Sequence, residues 1–181
     1  MTYQCSVGTL RGMTVSSPPE RITIRHDLRA GDLGGVAAMH GIEYAEQYGL
    51  DHTFEAHVAG QLAEFGHALA ADPDAGRLWI AEEDGTLVGS IAVTRETDAT
   101  ARLRWFVIRR PVRGQGLGHR LLDGALAYAR ERGFTLIDLE TFSELRAAAH
   151  LYGEAGFDML DAQLMIRWGR EIELRHYELK L

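Results

Sequence analysis

The first regular pattern along the chain is an alternation of apolar and polar residues. Ile22 and Ile24 each have polar neighbours, which predicts a β-strand. Two helices are predicted next, the first from about Gly31 to Glu46. The second carries one apolar stripe at spacings of four, four and three residues, made by Phe54, Val58, Leu62 and Phe65. Asp51 or Thr53 can cap its first turn.

A β-hairpin is predicted after the two helices. The apolar runs Leu78–Ala81 and Leu87–Val93 flank an Asp84-Gly85 pair, and Asp-Gly is a strong signal for a tight hairpin turn. Leu103–Ile108 is nearly continuous in apolar residues, which predicts a central strand. The rest predicts a helix, a strand, a short helix and two strands, near Leu117–Ala129, Leu136–Leu139, Glu144–Glu154, Met159–Trp168 and Ile172–Leu181. The order β-α-α-β-β-β-α-β-α-β-β predicts an α/β or α+β sheet covered by helices.

Length and cysteine content narrow the class of protein. The 181 residues suggest one domain with a tail. Residues 1–20 lack sustained periodicity and are expected to form a flexible leader, so the single domain is expected at residues 21–181. The one cysteine, Cys5, excludes an internal disulfide framework and a cysteine-based zinc cage. Since neither a signal-peptide pattern nor a long apolar run is visible, we expect a cytoplasmic protein.

The formal net charge is −7, which argues against nucleic acid and anionic membranes as partners, because both are bound through surplus Lys and Arg. Its distribution is uneven: residues 99–122 hold six arginines and no acid, which gives +6 there and leaves −13 elsewhere. This contrast predicts one compact, phosphate-rich ligand held at a single helix start, since nucleic acid needs an extended basic face.

The segment with the most candidate chemistry is a glycine-rich turn between the predicted strand at Leu103–Ile108 and the helix that follows it. Gly114, Gly116 and Gly118 occupy alternate positions there. Glycine lets the backbone turn tightly and approach a ligand closely. The first N–H groups of a helix lack internal partners, and with the helix dipole they form an anion site suited to phosphate.

Three interpretations of this turn compete on the residues alone. A P-loop needs Gly-Lys-Ser/Thr, and Gly118-His119-Arg120 stands there instead, so that interpretation fails. A dinucleotide fingerprint has its last glycine position filled by His119, and only about 60 residues follow Gly118, which disfavours it. A glycine-rich turn without a ligand is the third interpretation, and the nearby arginines argue against it.

The pattern Arg113-x-x-Gly116-x-Gly118 resembles the acetyl-coenzyme A pyrophosphate loop of GNAT acyltransferases. Downstream, an alanine-rich helix ending in Leu151-Tyr152-x-x-x-Gly156-Phe157 is similar to the second signature of that family. The resemblance covers residues 21–181. It implies a GNAT-type α/β (α+β) fold, with a mixed, mostly antiparallel sheet of about six to seven strands flanked by about four helices.

The resemblance also implies a cosubstrate, acetyl-coenzyme A, and the residues that hold it, with no metal. Backbone groups of Phe106 and Ile108 are expected to pair with the pantetheine arm. The pyrophosphate is expected on the loop residues Arg113, Gly114, Gln115, Gly116, Gly118 and His119. The 3′-phosphate is expected near Arg109, Arg110 and Arg120.

The implied reaction is direct transfer of an acetyl group from acetyl-coenzyme A to a primary amine. Tyr152 occupies the position of the family's general acid; without the motif it would be read as a half-buried packing residue. Glu140 is a candidate base or else a surface carboxylate. Glu43 and Tyr44 lie either at the acceptor site or on a solvated helix face. Trp105 points into the acceptor pocket or into the core.

Other histidines and serines carry weaker signals. His52 and His57 do not have the H-E-x-x-H spacing of a zinc helix, so both are expected on the surface. No serine lies in a hydrolase motif. Many family members have Asn where this chain has Leu145, and Ser143 or Glu144 could take over the polar role, or the contact could be absent.

The acceptor is a small-molecule or protein amine that the sequence does not identify. The alternative function is a non-catalytic acyl-coenzyme A sensor or regulatory module of the same fold. The segments Phe142–Leu145 and Trp168-Gly169 look like GNAT domains fused to MarR-type regulators, here expected without the DNA-binding part because about 20 residues precede the first strand. The final strands also suggest a homodimer.

Overall fold

A computed structural model of the chain describes residues 21–181, and the predicted leader at residues 1–20 lies outside the described residues. The strands are β1 (Ile22–Arg25), β2 (Gly76–Glu83), β3 (Thr86–Arg95), β4 (Thr100–Ile108), β5 (Leu136–Phe142), β6 (Asp158–Arg167) and β7 (Arg170–Lys180). The helices are α1 (Asp32–Tyr48), α2 (His52–Ala71), α3 (Leu117–Glu131) and α4 (Arg146–Glu154). Single 3₁₀ turns occur at Pro73–Ala75 and Arg110–Val112.

The predicted order of strands and helices is confirmed, and local sequence explains several of the boundaries. Asp51 caps α2, its carboxylate accepting a hydrogen bond from the N–H of Thr53 at 2.9 Å. Asp84 and Gly85 both have positive φ, 51° and 77°, as a tight type I′ hairpin turn requires. Gly133, with φ of 79°, follows the end of α3 in the same left-handed conformation.

The seven strands of residues 21–181 form one mixed sheet in the order β1-β2-β3-β4-β5-β7-β6. Every neighbouring pair is antiparallel except β4 and β5, which are parallel and joined through α3. A parallel connection needs a crossover, and a helix is the usual one. The predicted fold class, a mixed and mostly antiparallel sheet with four helices, is therefore confirmed.

Helices cover the sheet on both faces. Consecutive strand residues alternate between two apolar clusters: Leu78 and Ile80 pack with α1 and α2, whereas Trp79 and Ala81 pack with α3 and α4. Since successive side chains of a strand point to opposite faces, the two pairs of helices lie on opposite faces of the sheet.

The last strand of the sheet, β6, is different from the others because its side chains are exposed or half-buried along its whole length. Its apolar residues include Leu164 and Ile166, which are 67% and 84% exposed. β6 pairs only with β7 in the sheet of residues 21–181, so its outer backbone edge is a sheet edge.

A bulge in β4 opens the centre of the sheet. The register between β3 and β4 shifts between Ser90 and Ala92, and Trp105 has φ of 49°. The hydroxyl of Ser90 donates to the Trp105 carbonyl at 2.7 Å, which satisfies a backbone group of the bulged residue. A bulge bends its strand and increases the twist. β4 and β5 pair only from Thr100–Arg102 on β4, and beyond that point they separate.

Candidate functional site

A cavity of about 560 Å³ passes through the gap between β4 and β5. Its first end, here called the loop end, is lined by residues of the 112–119 loop and by α4. Its second end, here called the hairpin end, is lined by α1, α2 and the tip of the β6–β7 hairpin. Because these helices cover opposite faces of the sheet, the cavity joins the two faces. Its volume is typical of a small-molecule site.

The glycine-rich loop leaves backbone N–H groups open at the loop end. Gly114 and Gly116 have φ of 75° and 77°, a conformation that glycine adopts at little cost. A Cβ at either position would meet no heavy atom within 4 Å, so their requirement for glycine is conformational. α3 has no acidic residue in its first turn and no side-chain cap at Gly116. Its first N–H groups are therefore available to an anion.

The neighbouring cofactor-site candidates also line the cavity. Phe106 and Ile108 are half-buried and lie beyond the last paired residues of β4 and β5. Gly118 marks a close approach of α3 to α4, because a Cβ there would lie 2.8 Å from Leu151 Cδ1. His119 lines the cavity with its Nε2 3.1 Å from a carboxylate oxygen of Glu154.

Gln115 is the loop candidate whose side chain turns away. It is exposed, it is not among the residues that line the cavity, and its amide donates to the Pro111 carbonyl at 3.4 Å. A role for Gln115 in binding would therefore have to use its backbone N–H.

The side chain of Arg113 fastens the loop to α1. Its Nε donates to the Ile108 carbonyl at 2.7 Å, and its Nη2 donates to Glu43 Oε2 at 2.9 Å. The amide of Gln47 donates to the same Glu43 oxygen at 2.7 Å. Glu43 and Tyr44 are each 8% exposed. The alternative of a solvated helix face is thus wrong for both, and Glu43 positions the loop through Arg113.

Tyr152 lies in the wall of the cavity and is 4% exposed. Its ring packs between Phe106, Phe157 and Tyr177, with centroid distances of 6.2, 5.6 and 6.0 Å. Burial raises the pKa of its hydroxyl, with smaller contributions from Tyr44 and Tyr177. The phenol therefore keeps its proton at physiological pH, which a proton donor requires.

Glu140 lies on β5 at the hairpin end of the cavity. It is exposed, yet it is the one carboxylate among the described residues that line the cavity. The negative charge of Glu140 acts to raise the pKa of His57, so the two side chains are close enough to interact electrostatically. The two interpretations of Glu140, candidate base and surface carboxylate, are therefore compatible.

The structure corrects the prediction that His57 is a surface histidine. His52 is exposed, but His57 is half-buried, lines the cavity and packs its ring 5.6 Å from that of Trp168. Phe54, His57 and Gln61 lie at i, i+3 and i+7, which puts them on one face of α2. This spacing is the sequence signal that could have predicted His57 in the cavity wall. Among the described residues, no cluster of three His, Cys, Asp or Glu side chains has the arrangement of a metal site.

Two of the six arginines of residues 99–122 are paired with carboxylates away from the start of α3. Arg102 donates to both carboxylate oxygens of Asp138 at 2.9 and 2.5 Å, and Arg104 lies 3.2 Å from Glu96. Leu103 between them packs with α3 and α4, so both arginines point to the opposite face. The three candidates for the 3′-phosphate lie outside the cavity wall, namely Arg109, Arg110 and Arg120.

Neither residue proposed to replace the family asparagine lines the cavity. Leu145 lines the cavity and packs with the α1–α2 cluster. Glu144 accepts hydrogen bonds from Arg170 at 2.5 Å and from Ser143 at 3.1 Å, and neither Ser143 nor Glu144 lines the cavity. The structure therefore does not place either of the two polar candidates, Ser143 and Glu144, in the cavity wall.

Two residues of the central strands also belong to the wall. Trp105 meets both alternatives offered for it, because it lines the cavity and packs on Phe65 at a ring distance of 5.2 Å. Thr141 is 5% exposed, its hydroxyl has no hydrogen-bond partner within residues 21–181, and it also lines the cavity. No motif pointed to Thr141, because a lone threonine in a strand carries no local signal.

His40 makes folding stability depend on pH. It is 3% exposed at the hairpin end, its Nδ1 lies 2.9 Å from the Val36 carbonyl, and burial lowers its pKa to about 4. Since the unfolded chain binds a proton near pH 6.5 and the folded chain does not, stability falls as pH drops from about 6.5 to about 4. We expect His40 to account for about 3 kcal/mol of this loss.

Urea unfolding of the wild-type protein at several pH values between 7.5 and 4.5 measures this loss. In His40→Gln we expect a flatter pH dependence, whatever its stability at pH 7.5. His67→Gln is the matched control, because His67 is exposed on α2. An equally steep decline in His40→Gln and in the wild type would contradict the assignment.

Comparison with known proteins identifies the family. Residues 43–157 match the family model described as Acetyltransferase (GNAT) family. The chain therefore belongs to the GNAT acetyltransferase family, and the family resemblance seen in the sequence is confirmed.

Particular relatives share parts of the chain. It is 39% identical over 72 residues to N-alpha-acetyltransferase 80 of Mus musculus, covering 39% of this chain and 23% of the mouse protein. Solved structures with this fold include a Salmonella typhimurium protein with its cofactor acetyl-CoA, with 19% identity, a TM-score of 0.70 and coverage of 88% and 94% of the two chains. Another is spermidine N-acetyltransferase from Vibrio cholerae with CoA and spermine, with 22% identity, a TM-score of 0.66 and coverage of 88% and 95%.

The curated relatives are longer than the segment they share with this chain. The matched segments span from 23% to 50% of the first four of them. None of the helices in residues 21–181 is long and apolar enough to cross a membrane.

Proposed function

We propose that the protein is an N-acetyltransferase that transfers the acetyl group of acetyl-coenzyme A directly to a primary amine. The observation that carries this proposal is the cavity through the gap between β4 and β5. A phosphate-binding loop lies at one end, an acceptor-sized space lies at the other, and Tyr152 stands in the wall between them.

The residues at the loop end fit acetyl-coenzyme A. The uncapped start of α3, reached through Gly114 and Gly116, suits the pyrophosphate. Phe106 and Ile108 lie on the part of β4 that has separated from β5, so their backbone is placed to pair with the pantetheine arm. His119 adds a polar side chain at the same end. Bound acetyl-coenzyme A supplies a thioester whose acetyl group passes to the amine while coenzyme A leaves as a thiol.

Each catalytic role falls to a residue of the cavity wall. The protonated amine gives one proton to Glu140, directly or through water. Its neutral nitrogen then forms the new bond to the acetyl carbon and loses a second proton to water. As the carbon–sulfur bond breaks, Tyr152 donates its hydroxyl proton to the departing sulfur and is reprotonated from solvent. The backbone of β4 near Phe106 is placed to donate to the acetyl oxygen as negative charge develops there.

A non-catalytic acyl-coenzyme A sensor is the alternative. Leu145 in place of the family asparagine, with Ser143 and Glu144 outside the cavity wall, favours it, because a binding module has no need for groups positioned near the thiol. The buried, protonated Tyr152 beside the gap favours the enzyme. We therefore propose the enzyme.

The proposal is tested by calorimetry with acetyl-coenzyme A, followed by an assay of amine-dependent release of free thiol. We expect a Kd in the micromolar-to-millimolar range typical of enzyme substrates. Lack of binding would contradict both candidate functions. Binding without thiol release for any amine in a broad library would favour the sensor.

Two finer expectations stay predictions. One is the homodimer, for which the exposed apolar side chains of β6 offer a surface; sedimentation of the purified protein would decide it. The other is the likeness to GNAT domains fused to MarR-type regulators, for which a pull-down with a winged-helix protein is the test.

A further inference from the structure

The tip of the β6–β7 hairpin lines the hairpin end of the cavity and is attached to the start of α2. The N–H of Asp51 donates to the Trp168 carbonyl at 3.0 Å, and the Trp168 ring packs on Phe54 at 4.9 Å. Trp168 therefore lines this end of the cavity beside α2. With a total cavity volume of about 560 Å³, shared with the cofactor arm, this end has room for a small molecule.

The walls of the hairpin end are aromatic. Tyr44 stacks on Phe54 at 4.7 Å, and Phe142 meets Tyr44 and Tyr48 edge-on at 5.7 and 5.4 Å. All of these residues line the cavity. Such a surface suits an acceptor with an apolar or aromatic body.

The charges at this end are predominantly positive. Within residues 21–181, the three arginines that line the cavity outside the loop end are Arg102, Arg104 and Arg167, and Glu140 is the single carboxylate in the wall. Burial lowers the pKa of His57, and the positive charges of Arg167 and Arg104 lower it further, which shows that both arginines act at this end. A polycationic acceptor would meet repulsion here and only one acidic partner.

Arg167 is the arginine that is free to bind an acceptor. Arg102 is paired with Asp138 and Arg104 with Glu96. Within residues 21–181, Arg167 has no carboxylate at salt-bridge distance; its guanidinium lies over the Trp168 ring, 4.9 Å from the centroid. A guanidinium in contact with an aromatic ring can still donate its N–H groups, and their fork matches a carboxylate.

From these contacts we infer that the acceptor is a small amino acid-like molecule, in which an apolar body carries both the reactive amine and a carboxylate. Arg167 binds the carboxylate, the aromatic walls hold the body, and the amine lies toward Glu140 and the gap. This inference rests on the proposed function and names its substrate class.

The test is an acceptor panel of phenylalanine, tyrosine, tryptophan, leucine and methionine, each beside its amide, together with spermine. We expect kcat/KM for at least one acid to exceed that of its amide and of spermine tenfold or more. The amine of an amide has the lower pKa, so a preference for the acid cannot arise from easier deprotonation. Equal or better turnover of amides or spermine overturns the inference, as does no turnover of any acid by protein that binds acetyl-coenzyme A.

The variant Arg167→Gln tests whether Arg167 binds the carboxylate of the acceptor. For the preferred acid we expect kcat/KM to fall tenfold or more, with little change for its amide and an unchanged Kd for acetyl-coenzyme A. Arg130→Gln is the matched control, an exposed arginine on α3 outside the cavity wall. An equal fall in kcat/KM for the acid and for its amide would show that Arg167 does not bind the carboxylate. Failure of acetyl-coenzyme A to bind would instead contradict the proposed function.

Discussion

Replacing Tyr152 by phenylalanine is expected to lower kcat about 100-fold while the Kd of acetyl-coenzyme A changes less than about twofold. Phenylalanine keeps the ring that packs against Phe106, Phe157 and Tyr177, so the fold and the cavity wall should persist. What the variant loses is the proton for the departing sulfur. Thiol release with the best amine of the panel and calorimetry with acetyl-coenzyme A measure the two quantities.

Tyr128→Phe is the control for removing the hydroxyl of a buried tyrosine ring. Tyr128 is 4% exposed and packs beside Trp79, outside the cavity wall. We expect its kcat to stay near the wild-type value. If Tyr152→Phe also transfers acetyl within about threefold of the wild type, Tyr152 is not the general acid.

The second large effect is expected from the loop. Gly116→Ala should weaken acetyl-coenzyme A binding tenfold or more, because alanine at a φ of 77° is strained and the loop relieves that strain by turning its N–H groups away. The expected cost in folding stability is about 1–2 kcal/mol. Calorimetry and urea unfolding of the same preparation separate the two effects.

Gly133→Ala is the control for Gly116→Ala. It introduces the same backbone strain outside the glycine-rich loop, so it separates the effect of strain on stability from the effect of loop geometry on binding. Gly133 has almost the same φ, 79°, and its Cβ would also lie in open space, but it follows the far end of α3. We expect a similar loss of stability with acetyl-coenzyme A binding within about twofold of the wild type. Equal weakening of binding in both variants would contradict a direct role for the loop.

Most of the fold could be predicted because its signals are local. The stripe of Phe54, Val58 and Leu62 defines a helix by spacing alone, and Asp84-Gly85 defines a hairpin by its preference for positive φ. The glycine-rich loop is equally local, since strand, glycines and helix start follow one another directly along the chain.

The parts that could not be predicted depend on contacts between distant segments. His57 belongs to the site because Trp168, more than a hundred positions away, packs over it. Arg102 and Arg104 were grouped with the loop by their nearness in sequence, yet alternation along β4 turns them to the other face. Residues near in sequence and on opposite faces of a strand meet different partners.

By itself the sequence determined the order of strands and helices, the glycine-rich turn that precedes α3 and the family to which the chain belongs. Only the tertiary structure decided that β4 and β5 separate beyond Arg102, that the gap connects two faces of the sheet, and that Arg167 and several aromatic side chains line the same cavity. The physical reason is the distance along the chain over which the interactions act. Periodicity and turn chemistry act over a few residues, whereas a cavity is bounded by elements that meet only when the whole sheet is assembled.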